Sequence, residues 1–442
     1  MKKFVLPLLF AGCCFAGELS VEVTTDKASG IYKSGDTVAV TAVALEDGKP
    51  VSGRTVTYDL IADGKFRKRG KFVSDAAKPF VWKHKLAYPT ALRAEFTILD
   101  ANGKRVPLKR GYDQVRYAGG RVGAVSDPEK ILPAGKRPAD FDAFWQKQKA
   151  RLAKVPMKLL EKKSLEKRMS HAMRAKSRAW DIKVSCVDNV PVSGVLAMPK
   201  NAKAKSHPAV LLVPGAGVSS IGVYSSTRWS EKGAICLDIN AHGIPNRKGR
   251  AYYEKLAKTT LKDYRFAGTS SRDTVYFKGM YLRLMRALDY LKSRPEWDGK
   301  VLIATGGSQG GGQAIAAAAL DPQVTLCVAD VPAIGDHAGS IAKFPRRPGW
   351  PKFYDARNGK ADPKVVAATA YYDNVFLARR IKCETYLSAG LMDMSCSPAG
   401  IYLVYKNLAS EKKDITVYPQ GTHSSSPGRK GKARINAVLQ GK

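Results

Sequence analysis

Acidic residues are scarce in this chain: 38 Asp and Glu stand against 74 Lys and Arg over 442 residues, a formal charge of +36. A bilayer-spanning apolar run is missing as well. The longest such stretch, Phe4 to Phe15, falls short of the roughly 20 residues a spanning helix needs, so the mature chain is expected to be soluble. No C-x-x-C pair and no His/Cys cluster suggests zinc. A hydrophobic content of 44% excludes disorder and collagen-like repeats. At roughly 150 residues per domain the length argues against a single compact domain. The positive excess leaves three readings open: an acidic polymer partner, a nucleic-acid role, or a merely basic surface.

The amino terminus bears on compartment. Lys2 and Lys3 form a basic start, Phe4 to Phe10 an apolar core, and Cys14-Phe15-Ala16 a small-x-small cleavage site before Gly17, so residues 1–17 read as an export signal. A second cut is conceivable before Cys13, because Phe10-Ala11-Gly12-Cys13 is near a lipoprotein box, although Phe10 stands where Leu is usual; only lipidation there would bring the protein to a membrane. The expected location is periplasmic or secreted. Cys186, Cys236, Cys327, Cys383 and Cys396 remain after cleavage, an odd number that leaves at least one thiol free or pairing between chains.

Residues 18–120 show short alternating apolar runs, such as Thr37 to Val43 and Thr55 to Leu60, separated by Asp-Gly turns. This period-two pattern predicts an antiparallel, immunoglobulin-like β-sandwich acting as a spacer, docking face or glycan-binding unit. Residues 121–137 read as a linker. Pro138 to Trp145 then opens a helix, with proline at the start, acids in the first turn and aromatics at i, i+3 and i+4. From Lys147 to Arg178 twelve Lys/Arg face only Glu161 and Glu166, the densest basic tract in the chain, readable as a solvated face and linker or as a docking surface for an anionic polymer.

Beyond it, near-continuous apolar runs alternate with helical segments such as Tyr281 to Ser293. The runs include Val192–Ala197, Ala209–Val213, Ala234–Ile239, Val301–Thr305, Val324–Ala329, Thr385–Ala389 and Ile415–Tyr418. They predict a mostly parallel sheet flanked by helices, an α/β-hydrolase unit over 138–442 with its function at the carboxyl ends of the strands. Directly after Val301–Thr305 comes Gly306-Gly307-Ser308-Gln309-Gly310 and an Ala-rich helical run, which is G-x-S-x-G in the strand–turn–helix setting of a nucleophile elbow. A serine hydroxyl needs a base to take its proton and an acid to hold that base, in the chain order Ser, acid, His. Only His337 and His423 follow Ser308. His423 lies just past the last strand, where the base belongs, whereas His337 comes before any acid loop. Asp393 follows the strand Thr385–Ala389; Asp414 precedes a strand and Asp373 sits apart from one. The oxyanion hole calls for the N–H of Gln309 and one from Pro214-Gly215-Ala216-Gly217, assigned to Ala216.

With these residues in place the catalytic half, Pro138 to His423, resembles the acetyl xylan esterase / cephalosporin-C deacetylase family of α/β-hydrolases. The likeness rests on Ala139 to Trp145, Arg286 to Leu291, Arg294 to Gly299, Gly307 to Gly311, Asp330-Val331-Pro332, Tyr372-Asp373-Asn374 and Gly390 to Asp393, in order. It implies a cofactor-free, metal-independent serine esterase that removes acetyl groups from decorated sugars, with Ser308, Asp393 and His423 as its triad, in a family that is often oligomeric. Three motifs depart from the family: Pro214-Gly215-Ala216 stands for His-Gly-Tyr, Asp238 to Gly243 for Asp-x-Arg-Gly, and Gly421-Thr422-His423-Ser424 for Gly-His-Glu.

Two other readings compete. A glucuronoyl esterase would suit a positive protein, but such enzymes resemble one another in carrying arginine where Gln309 follows the serine. A catalytically degenerate glycan-binding scaffold is opposed by the complete set of three catalytic residue types. Export makes nucleic acid an unexpected partner. An acetylated polysaccharide or oligosaccharide, with the charge pointing to an acidic one, is the expected substrate.

Overall fold

A computed structural model describes residues 18–62, 66–108, 117–344, 346–353 and 362–442. The expected signal, residues 1–17 with Cys13 and Cys14, lies outside the described residues.

The first part is all β. One sheet pairs Leu19–Thr25 and Phe80–Lys85 with opposite edges of the long strand Thr37–Glu46, which also takes Lys49–Pro50. The second has the order Ile31–Tyr32, Gly119–Ser126, Ala91–Ile98, Thr55–Ala62, Phe66–Val73. Alternation does the work. Along Ala91–Ile98 every second residue, Leu92, Ala94, Phe96 and Ile98, is buried, and these meet Val38, Val40 and Ala42 of the facing sheet in one core.

The expected linker 121–137 begins inside this unit. Gly119–Ser126 pairs antiparallel along Ala91–Thr97. Glycine disguised it, for a Cβ at Gly120 would stand 1.9 Å from the Val21 carbonyl oxygen and one at Gly119 2.1 Å from that of Phe96. The glycines are there for close backbone approach, yet in sequence they read as a connector.

The second part is built on nine strands in the order Leu159–Ser164, Ser177–Val184, Val192–Pro199, Ile235–Ile239, His207–Val213, Trp297–Gly307, Leu326–Asp330, Glu384–Gly390, Lys413–Tyr418. The first three run antiparallel to their neighbours and the rest are parallel. Helices Phe141–Ala153, Tyr276–Lys292, Gln309–Leu320 and Pro398–Asn407 cover one face; Val223–Ser230 and Arg429–Leu439 cover the other through Trp229 and Ile435. The helix Phe141–Ala153 buries Phe141, Phe144, Trp145, Gln148 and Leu152, one helical stripe, and Trp145 donates its indole N–H to the Tyr371 carbonyl at 3.0 Å.

One strand inside the basic tract and one that starts at its end went unforeseen. Leu159–Ser164 is an exposed edge whose Lys and Glu side chains hide any alternation, and Ser177–Val184 comes after the short helix His171–Lys176. Charge on an edge strand discourages further strand pairing, which is the physical reason for its unstrandlike composition.

The two parts meet along a packed seam. The Gly123 N–H donates to the Pro419 carbonyl at 2.7 Å, Gln420 Nε2 donates to the Val23 carbonyl at 2.7 Å, and Val125 belongs to the main core of the nine-stranded part. Tyr88 stacks on Phe344 at 4.1 Å between ring centres.

Candidate active site

The strand Trp297–Gly307 delivers Ser308 at its carboxyl end, and the helix Gln309–Leu320 starts at the next residue. Ser308 has φ +58° and ψ −124°, backbone that non-glycine residues avoid. The strain is held from several sides: Ser308 N–H donates to the Asp330 carbonyl, and the Ser308 carbonyl accepts from Gly312 and Ala333. Glycine is mandatory on both flanks. A Cβ at Gly306 would lie 2.6 Å from the Val213 carbonyl oxygen, and one at Gly310 2.2 Å from the same atom.

The structure brings the three residues picked from sequence together. His423 Nε2 lies 2.9 Å from Ser308 Oγ, and His423 Nδ1 lies 2.8 Å from Asp393 Oδ2. The Asp393 side chain is fully buried, and its Oδ1 accepts from the N–H groups of Ser395 and Cys396 at 2.7 and 2.9 Å. Both oxygens are therefore occupied. With Nδ1–H donating to the carboxylate, Nε2 is left as an acceptor facing the serine hydroxyl, the orientation a general base requires. His423 keeps a fifth of its side chain exposed, at the open end of the chain of hydrogen bonds.

The acid and base loops are joined to each other and strapped from outside. Leu391 N–H donates to the Tyr418 carbonyl and Met392 N–H to that of Gly421. Lys352 Nζ donates to the Met394 carbonyl at 3.0 Å, and Trp350 N–H to that of Ser395 at 2.8 Å. The rejected candidates do structural work. Asp373 accepts from the N–H groups of Asp336, His337 and Val375; His337 is buried with Nδ1 3.2 Å from the Thr369 carbonyl; Asp414 lies within the final strand.

On the oxyanion side, Gln309 opens the helix directly after the serine, fully buried. Ala216 lies in the exposed loop 214–217, which leaves the strand His207–Val213 over the elbow, where the Pro214 carbonyl would touch any Cβ at Gly310. The loop lacks the family's tyrosine, but other aromatics hold it. His242 Nε2 donates to the Gly217 carbonyl at 2.9 Å while Nδ1 accepts from the Tyr276 hydroxyl at 2.9 Å. Burial pushes His242 down to about 4, so the ring is neutral at pH 7. Tyr264 donates its hydroxyl to Gln309 Oε1 at 2.6 Å and is pushed by burial up to about 12. Sequence reasoning missed Tyr264 and Tyr276, because they lie far from any motif; Asp238 to Gly243 was noted only as a departure.

Cys396 was also missed as a neighbour of the triad. Its thiol lies within hydrogen-bonding reach of Ser308, and donor atoms of Asp393, Cys396 and His423 fall within 4.8 Å of one another. Such a trio can hold a metal in principle, but here His423 and Asp393 already bond to each other. Burial drives the Cys396 thiol well above its usual range, the reverse of a thiolate ligand. All five described cysteines are free, with four of them buried.

Comparison with known proteins agrees with this architecture. The family model "Acetyl xylan esterase (AXE1)" matches residues 129–438. The chain is 36% identical over 301 residues to "Acetyl esterase Axe7A" of Xylanibacter ruminicola, a match covering 67% of this chain and 66% of that protein's length, just under two thirds. Two solved structures share the fold: the acetyl xylan esterase from Paenibacillus sp. R4 (TM-score 0.59, 23% identity, 71% of this chain and 98% of that one) and acetyl xylan esterase 1 from Thermoanaerobacterium sp. JW/SL YS485 (0.58, 23%, 71% and 97%). An α/β-hydrolase sheet, an elbow serine and a family model spanning most of the chain lead to one conclusion: this chain belongs to the acetyl xylan esterase family.

Proposed function

We propose that the protein is an exported serine carbohydrate esterase that removes O-acetyl groups from a plant or algal polysaccharide or its oligosaccharides. The observation that carries this reading is the continuous path from Ser308 Oγ through His423 to a buried, doubly hydrogen-bonded Asp393. Family membership and the name of the 36% identical relative supply the acetyl ester. Export rests on the basic start and apolar run of residues 1–17.

In this mechanism His423 Nε2 takes the hydroxyl proton as Ser308 Oγ attacks the ester carbonyl. The backbone N–H groups of Gln309 and Ala216 receive the developing oxyanion. Asp393 stabilises the imidazolium that forms. Collapse breaks the bond to the sugar oxygen, which leaves with the proton from His423 Nε2, and an acetyl group stays on Ser308. Water then repeats the cycle, giving its proton to His423, releasing acetate and restoring the serine. The glycine-bounded elbow keeps strain at Ser308 and leaves the hydroxyl accessible.

The test is hydrolysis of p-nitrophenyl acetate and covalent labelling by a fluorophosphonate. Ser308→Ala is expected to lower kcat/KM by about three orders of magnitude or more and to abolish labelling, with an unchanged circular dichroism spectrum. Activity near wild type in that variant overturns the assignment.

A further inference from the structure

The basic tract finds no use in the chemistry above, yet the structure gives it a shape. Its first residues end the helix Phe141–Ala153; the rest form the outer strand Leu159–Ser164, the short segments after it and the start of the strand Ser177–Val184. There they line two adjoining depressions on the flank away from the all-β part of the chain. The larger, about 950 Å³, is bounded by Lys163, Lys167, Arg168, Arg174 and Arg247 with Glu166 as its one acid. The second, about 300 Å³, shares Ser164, Glu166 and Arg174 with the first and adds Arg178, Lys200 and Trp180.

The cations divide into two groups. Lys163 is paired with Glu161 and Arg247 with Asp181, while Arg174 is spent on the carbonyls of Glu166 and Met169. Lys167, Arg168, Arg178 and Lys200 are exposed, and among the described residues no carboxylate lies within ion-pair distance of them. Holding four uncompensated like charges around one groove costs free energy through mutual repulsion, which an anion bound along it relieves. Trp180 adds an apolar element: its half-buried indole lines the groove, and the flexible Lys162 ammonium lying over the ring, 4.5 Å from its centre, is the group that a sugar face displaces there. A flat aromatic beside a row of cations matches a chain of sugar rings that carry carboxylates, because the ring face takes the C–H face of a pyranose and the cations take its acid groups. A nucleic acid would share the charge but asks for stacking platforms at successive bases, and among the described residues the groove offers a single indole.

We propose that this groove is a docking site for a uronate-bearing polysaccharide, separate from the triad, which holds the polymer while its acetyl groups are presented to Ser308. It rests on the esterase reading only for its purpose. The groove reaches the catalytic face through Arg247, whose N–H donates to Ser220 Oγ at 2.9 Å, in the segment that continues from the loop holding Ala216.

The test uses the full chain and a ligand without esters, so that binding is read independently of hydrolysis. Affinity electrophoresis through gels containing de-esterified polygalacturonate, neutral arabinoxylan or a single-stranded oligodeoxynucleotide gives the apparent affinities. The wild type is expected to be retarded by polygalacturonate at low salt, to lose that retardation by about 0.5 M NaCl, and to ignore arabinoxylan. Replacing the exposed pair as Lys167→Glu with Arg168→Glu is expected to weaken retardation roughly tenfold, since each exposed charge contact contributes up to a few fold. The same variant should hydrolyse p-nitrophenyl acetate at the wild-type rate. A matched control, Lys68→Glu with Lys71→Glu on the exposed strand Phe66–Val73, makes an identical change in net charge elsewhere. Equal weakening by the control overturns the proposal in favour of global charge, and tighter retention by the oligonucleotide overturns it in favour of nucleic acid. Should the wild type hydrolyse no acetyl ester while the groove variant still loses polygalacturonate, the esterase reading fails and the docking site stands.

Discussion

Two buried ionisable residues near the active-site face titrate in opposite senses, and each makes a separate prediction. Neutral His242 sits among Tyr264, Tyr276 and Arg283, pushed down to about 4 chiefly by burial, with the Arg283 charge acting in the same direction. Between that value and about 6.5 the unfolded chain takes up a proton that the folded chain refuses. The stability involved is full above pH 6.5 and is lost as pH falls towards 4, about 3 kcal/mol at 1.36 per unit. His242→Gln keeps a donor for the Gly217 carbonyl without the titration, so urea unfolding at pH 4.5 and 7 should show a shallower acid limb than wild type. Asp238, in the strand Ile235–Ile239, is pushed up to about 8 by burial, against the weaker pull of Ser225 and Arg228. Here the folded state keeps a proton that the unfolded state has released, so stability is withdrawn as pH rises from about 4 towards 8. Asp238→Asn should therefore stabilise the protein at pH 8 and leave it little changed at pH 4. At the oxyanion side, Tyr264→Phe removes the hydroxyl held by Gln309 Oε1. A positioning role for that bond predicts a fall in kcat of about tenfold with KM nearly constant, measured on p-nitrophenyl acetate.

At the scale of the element, the strand Gly119–Ser126 is tied to the catalytic loops more closely than any helix of the all-β part could be, since that part has none among the described residues. A Cβ at Gly123 would stand 2.6 Å from Leu391 Cβ and 2.8 Å from the Leu391 carbonyl. Leu391 is two residues before Asp393 and is bonded across to Tyr418, five residues before His423. Gly123→Ala should thus separate acid from base, lowering kcat about tenfold while the melting temperature changes by only a few degrees. Gly249→Ala, the same chemical change in open space, is the control. This linkage could not be read from the sequence, where the same glycines mark a connector. The triad could be read, because a serine between glycines after an apolar strand, with one histidine past the last strand, leaves little freedom. Leu159–Ser164 could not, since an edge strand needs no alternating pattern when solvent bathes nearly all its side chains. Tyr264 was equally hidden: nothing local announces a hydroxyl that acts forty-five residues away.

The whole molecule differs from a catalytic unit carrying a spacer. Val125 belongs to the main hydrolase core, Gly30 and Gly123 close on Leu391 and Pro419, and Gln420 crosses back to Val23. A detachable module would meet its neighbour through a polar, loosely packed surface, leaving relative motion as the default. Here the seam combines a backbone hydrogen bond, the Gln420 side-chain bond and the Tyr88–Phe344 stack with glycine contacts too close for a Cβ, and those glycines lie against both the acid and the base loops. Expressing residues 127–442 alone should expose Leu391 and Pro419 and break the bonds to Gly123 and Val23. The expected product is poorly soluble, and its soluble fraction should hydrolyse p-nitrophenyl acetate at least tenfold more slowly than the full chain. A spacer predicts the opposite result on this small ester, which reaches the triad without any polymer docking: unchanged kcat and KM. Because the groove around Lys167 and Arg168 remains in the shortened chain, its retention by polygalacturonate should survive where the fold does. That outcome would separate two jobs, with the all-β part setting catalytic geometry and the far edge of the sheet holding polymer.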